Sequence, residues 1–268
     1  SGIVIGSGAA FSLADPEASR NSIAIGTHAM HLASGASNIV AIGHNAYLET
    51  SGGLNTLALG SSAARSGYDI QNSNLIGTNA GRLSSNFSSA NGFGTGALAR
   101  AAGMTQVSAI GAFAGSGSSG VRYANFIGPH AGEAASGIDY INAIGYQAGS
   151  KICNADNVNA IGYLAGASAK RITNSIIIGN NAGYKTEAKD ALSYPMLIGH
   201  RAGFAASGHT HLMAIGVEAG DASISGDHAI FIGRNAGANS SGVKNSEFVG
   251  QDVGSSGVHI QYAAAYGA

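Results

Sequence analysis

Residues 142–149 read NAIGYQAG, and residues 159–166 read NAIGYLAG, starting 17 positions later. The same beat runs through the chain. A Gly preceded by an apolar residue stands at 6, 26, 43, 60, 77, 94, 111, 128, 145, 162, 179, 199, 216, 233, 250 and 267. Thirteen of the fifteen intervals are 17 residues and two are 20, so two turns carry three-residue insertions. Taking this Gly as phase zero, phase −1 is Ile, Leu, Val or Phe in the first fifteen repeats and Tyr266 in the last. Phase +3 is Ala in fourteen of fifteen repeats, with Val253 the exception, and phase +4 is Gly in ten. Repetition at a fixed period is the signature of a stacked architecture.

Before phase zero the pattern has period two, which is strand periodicity. A 17-residue unit is too short for a helical-pair repeat, and Gly at phases 0 and +4 would break helices. The expected fold is all-β: one repeat domain over 1–268, a parallel β-solenoid of about fifteen turns, with a repeat cut at each end. Equal phases then stack at about 4.8 Å, the spacing between strands. Asn21, Asn38, Asn55 and Asn72 at phase −5, and Asn74, Asn91, Asn125, Asn142 and Asn159 at phase −3, are expected to form amide ladders. Because phase −1 is uniformly large and apolar, it is expected to fill the interior. Phases −2 and −4 are then expected to face neighbouring chains, with Phe126 and Ala143 among the contacts.

Composition narrows the function. Gly accounts for 42 of 268 residues, more than twice the usual share, yet 45% of the chain is hydrophobic, unlike a flexible linker. Charged residues are 10% and the formal net charge is −1, which argues against a nucleic-acid partner. Cys153 is the single cysteine, which excludes an intrachain disulfide framework. No apolar run reaches the length of a membrane span, so no membrane insertion is expected. The opening SGIVIG lacks the basic and apolar regions of a signal peptide. Each turn offers few large side chains, and a continuous second apolar face would be exposed on a monomer. A homotrimer of parallel rolls is the expected assembly.

The octapeptides NAIGYQAG and NAIGYLAG resemble the repeats of phage and prophage tail-fibre proteins. The shorter core NSIAIG at 21–26 resembles the head repeat of YadA-type trimeric autotransporter adhesins. The resemblance covers nearly the whole chain through its repeat, although the 17-residue period is longer than that of the adhesin heads. It implies a left-handed parallel β-roll, three chains to a head. It also implies a structural, receptor-binding fibre segment that attaches to a host cell surface.

Few residues suggest chemistry. GSGSSG at 115–120 matches a dinucleotide fingerprint in letters only, since it falls in the loop phase with no helix expected after it. Asp139 and Asp156 share one phase, so stacking would bring two carboxylates to about 5 Å, the separation of a retaining glycosidase pair. Trp is absent, which removes the usual sugar platform of a depolymerase. His209 and His211 form an H-x-H pair, with His228 at the phase of His211 one turn later. The pair resembles H-x-H elements of phage fibres and spikes, which implies an axial iron or another transition metal shared by three chains. Tyr146, Tyr163 and Tyr184 follow Gly turns and are candidates for an exposed glycan- or surface-binding stripe.

The expectation is therefore a non-enzymatic fibre segment on a virion tail or at a cell surface. Its partners would be itself as a homotrimer, other fibre or tail proteins, and a host surface glycan or protein. The alternatives are the head of a bacterial trimeric adhesin and a capsule polysaccharide depolymerase. An ice-binding solenoid is disfavoured because no T-x-T ladder is present.

Overall fold

The structure is a computed structural model that describes residues 2–9 and 21–267, without the side chains of 188–193 and 225–226. The described residues contain 22 strands and no helix. All strand pairings are parallel, and the fold is a β-solenoid of about 14 turns. The chain forms two compact units, Ser1–Ala135 and Ser136–Ala268.

The repeat sets the register within each unit. In the first, Val40 pairs with Leu57, Leu57 with Asn74, and Asn74 with Asn91, each 17 residues on. In the second, Asn142 pairs with Asn159 and Asn159 with Ile176. The two insertions leave this register intact. Ile5 pairs with Ile25 across the first, whose residues 10–20 lie outside the described set. Ile178 pairs with Ile198 across the second, where Lys170 pairs with Glu187 but Ile172 pairs with Leu192, so the extra residues are absorbed between them.

Several turns carry one nine-residue strand, such as Ser85–Phe93, Ala102–Ile110, Cys153–Ile161 and Lys170–Ile178. Others split it into two short strands around a phase −5 corner, as Ser34–Ser37 and Val40–Ile42 do around Asn38. Asn38, Asn55 and Asn72 hold φ near +50°, a left-handed corner that Asn tolerates better than most residues. Their carboxamides form the expected ladder, with Asn38 donating to Asn55 at 2.9 Å and Asn55 to Asn72 at 3.0 Å. Two phase −3 ladders also form, Asn74 to Asn91 at 2.7 Å and Asn142 to Asn159 at 3.0 Å.

The phase-zero column requires Gly for two reasons. Gly26 has φ +129°, and a Cβ there would lie 2.5 Å from the carbonyl oxygen of Gly43 on the next rung. Gly145 stands in the same relation to Gly162, also at 2.5 Å. Vertical bonds hold the following turn: the amides of Gly43 and Asn45 donate to Ile25 and Thr27 at 2.8 and 2.9 Å. Backbone groups that left-handed corners would leave unpaired are thereby satisfied one rung away.

The strand faces are the reverse of those expected from sequence. Phase −2 is interior: Ala24, Ala41, Ala58, Leu75, Ala109 and Phe126 are fully buried in the first unit, as are Ala143, Ala160, Ile177, Leu197 and Phe231 in the second. Phase −4 is buried with them, including Ser22, Ile39 and Thr56. Phase −1 faces outward, with Ile110 47% and Ile144 39% exposed. The inward placement of phase −1, and the outward placement of Phe126 and Ala143, are therefore wrong. Phase −2 meets the phase +4 turn across a narrow part of the interior, so it is mostly Ala, and a large side chain stands there only where phase +4 is Gly. A Cβ at Gly132 would lie 2.2 Å from the Phe126 ring, one at Gly203 would lie 2.7 Å from Leu197, and one at Gly237 would lie 2.3 Å from Phe231. The reverse exchange also occurs: Leu98 and Tyr47 are buried at phase +4, facing Gly92 and Gly53 respectively.

Several buried Ser and Thr hydroxyls are satisfied by the next rung. Thr50 donates to the carbonyl of Ala64, Ser84 to Leu98 and Ser118 to Gly132, each at 2.6 Å and each 14 residues on. A small polar side chain can thus sit in the core without an orphaned group.

Candidate functional site on the outer faces

Two kinds of outward surface carry chemistry. The first is apolar. In the first unit the phase −1 column runs Ile25, Ile42, Leu59, Ile76, Phe93, Ile110 and Ile127, all partly or substantially exposed. In the second it runs Ile144, Ile161, Ile178, Ile198, Ile215, Ile232 and Val249. Phase −3 shares this face and adds Ile23, Val40 and Leu57 in one unit and Ile176, Met196, Met213 and Ile230 in the other.

The second surface is the turn edge, where aromatic rings stack at the repeat spacing. Tyr146 and Tyr163, both at phase +1, are 43% and 48% exposed, and their rings lie 5.4 Å apart at an interplanar angle of 9°. Tyr184 belongs to a different column, phase +5, and stacks on Phe204 at 5.3 Å. Lys185 lies 5.2 Å over the Tyr184 ring, and the Arg201 guanidinium lies 4.4 Å over Phe204. The three tyrosines therefore form two aromatic pairs instead of one stripe. Phe204 was missed from sequence, although its phase, counted through the insertion, equals that of Tyr184. Arg201 is anchored by Asp221 at 2.7 Å. Burial pushes the Asp221 carboxyl upward, and the Arg201 charge opposes the shift.

The H-x-H pair is split. His209 is buried inside the roll, with Nε2 at 3.0 Å from the Ser223 hydroxyl and the ring edge-on to Phe231 at 6.5 Å. Burial lowers its pKa to about 4, against smaller raising effects of Ser223 and Asp227. His211 lies at the surface, stacked on His228 at 4.3 Å and on Tyr194 at 6.4 Å. His209 and His211 do not converge on one point within the chain. Among the described residues, no group of three or more His, Cys, Asp or Glu gathers as a metal would require.

Asp139 and Asp156 are register partners on adjacent rungs, as their common phase implied. Oδ1 of Asp156 is buried without a hydrogen-bond partner. The GSGSSG stretch is structural. Gly115 packs beside Phe126, Ser118 bonds to the next rung, and the strand Ser119–Ile127 follows directly.

No protein-family model matches the chain, and no curated protein is significantly similar to it.

Proposed function

We propose that this chain is a structural, receptor-binding segment of a phage tail fibre, wound as a left-handed β-roll and assembled as a homotrimer. The observation that carries the reading is the outward phase −1 column, which is apolar on every rung from Ile25 to Ile127 in the first unit and from Ile144 to Val249 in the second. A soluble monomer rarely leaves so continuous an apolar strip in water. Because each rung presents the same kind of side chain at the same height, the complementary surface is a parallel copy of the same chain. Three such copies around an axis along the coil cover the strip at every level. The interface is thus assigned to phases −1 and −3.

With that face covered, the turn edges remain outside, carrying the Tyr146–Tyr163 and Tyr184–Phe204 pairs. Stacked aromatics with cations over them suit contact with a host surface glycan or protein. The chain binds and does not turn its ligand over. The NSIAIG form of the rung at 21–26, with Ser22 buried and Asn21 at a left-handed corner, also favours a second reading, the head of a bacterial trimeric adhesin.

Light scattering tests the assembly. A particle of three times the 26.4 kDa chain mass is expected, and a stable monomer at micromolar concentration would refute the trimer. Binding of labelled protein to intact bacterial cells tests attachment, and reading the flanking coding sequence separates the fibre from the adhesin.

A further inference from the structure

The turn edge of the first unit holds a hollow of about 180 Å³ that the aromatic pairs do not involve. Its walls include Arg82 and Arg100 on successive rungs, Phe113, Asn79 and Ser116. The rungs are tied together there, with the Arg100 amide donating to the Arg82 carbonyl at 2.8 Å. Gly96 forms part of the lining. A Cβ at that position would lie 2.6 Å from the Phe113 ring, so its absence lets the ring lie across the turn. The ring is 41% exposed and is backed by His130, stacked at 5.3 Å.

The charges here are unanswered. Among the described residues, neither Arg82 nor Arg100 has a carboxylate partner. In the second unit Arg201 pairs with Asp221 at 2.7 Å, and Lys170 and Arg171 lie 3.6 and 3.5 Å from Glu187. Arg65 shares the phase of Arg82 one rung earlier, and its buried Nε has no hydrogen-bond partner.

We propose that this hollow is a binding subsite for a carboxylate-bearing saccharide, an inference that rests on the attachment reading above. A guanidinium fork matches a carboxylate in two parallel hydrogen bonds. The exposed phenyl ring offers a flat apolar surface to the C–H face of a sugar. The Asn79 carboxamide can exchange hydrogen bonds with ring hydroxyls, and the Ser116 hydroxyl, which donates to the Ala99 carbonyl at 3.1 Å, can accept one. All of these residues stand at phases +2, +5 and +6, so covering phases −1 and −3 in a trimer leaves the hollow open.

The test is calorimetric titration of the intact chain with three probes: a disaccharide containing glucuronic acid, its neutral counterpart, and inorganic phosphate. The acidic disaccharide is expected to bind at least about tenfold more tightly than either of the others. Arg82→Gln and Arg100→Gln should each weaken it about tenfold, the Lys variants less, and Phe113→Ala should remove its advantage over phosphate. Circular dichroism and light scattering confirm that each variant keeps its fold and assembly. Equal affinity for the acidic and neutral sugars, phosphate binding as tight as the acidic sugar, or undiminished binding by the Arg82→Gln/Arg100→Gln double variant would each overturn the proposal. Cell binding measured in parallel separates it from the attachment reading. Cells still held by a chain that ignores the acidic disaccharide sink the subsite alone, whereas disaccharide binding without cell binding sinks attachment alone.

Discussion

The Phe126 ring fills the space that a side chain at residue 132 would need: a Cβ built on Gly132 would lie 2.2 Å from both Cδ1 and Cε1 of the ring. Gly132 also holds φ +62°. Gly132→Ala therefore combines overpacking with left-handed strain and should destabilise the chain by about 3 kcal/mol. Phe126→Ala leaves a cavity and should cost a similar amount, about 3–5 kcal/mol. The double variant should cost less than the sum of the two, because the new methyl occupies part of the vacated space. Additive losses in denaturant midpoint would show that the two positions do not share one space.

Adjacent residues on one strand should respond oppositely to the same charge. Ala143 is fully buried, so Ala143→Asp should strand a carboxylate in the roll and cost several kcal/mol, enough to prevent folding. Ile144 is 39% exposed, so Ile144→Asp should leave the circular dichroism of the chain intact. If phase −1 forms the interface, the same variant should lower the particle mass in light scattering. Equal loss of folded signal by the two variants would contradict the face assignment.

Acid should weaken the fold through His209. Burial holds its pKa at about 4 in the folded chain, against the ordinary 6.5 of an exposed imidazole. Between these values the unfolded chain binds more protons, so stability falls as pH drops from 6.5 towards 4 and is unaffected by this group above 6.5. The slope contributed is at most about 1.4 kcal/mol per pH unit. His209→Gln should flatten the midpoint-versus-pH curve in that window. An unchanged curve would mean that the imidazole is not the source.

Asn55 should be worth more than its exposure suggests. It bonds to Asn38 below and Asn72 above while holding φ +52°. Asn55→Ala loses both bonds and adds left-handed strain, about 2 kcal/mol in all. Asn55→Gly loses the bonds but relieves the strain, so it should fall between the two. Thermal denaturation should rank the three Asn, Gly, Ala, and an Ala variant as stable as Gly would remove the corner strain from the account.

The 17-residue beat by itself determined the parallel solenoid, the register carried across both insertions, and the Asn ladders. Each follows from stacking identical phases at the strand spacing, which needs no knowledge of what faces inward. The shared phases of Asp139 with Asp156, of Tyr146 with Tyr163 and of His211 with His228 were legible for the same reason. Which strand face is interior was decided only by the tertiary structure. A period of two marks two faces without naming them, and the uniform size of Ile at phase −1 pointed to the wrong one. The space between phases −2 and +4 shows it: Ala fits there opposite any residue, whereas Phe126, Leu197 and Phe231 fit only opposite Gly132, Gly203 and Gly237. That exchange of a large phase −2 residue for Gly at phase +4 is written in the sequence, but it acquires meaning only once the two phases are known to meet across the lumen. The division of His209 from His211, and the meeting of Arg82, Arg100 and Phe113 around one hollow, depend likewise on where corners turn the chain, which side-chain chemistry alone does not encode.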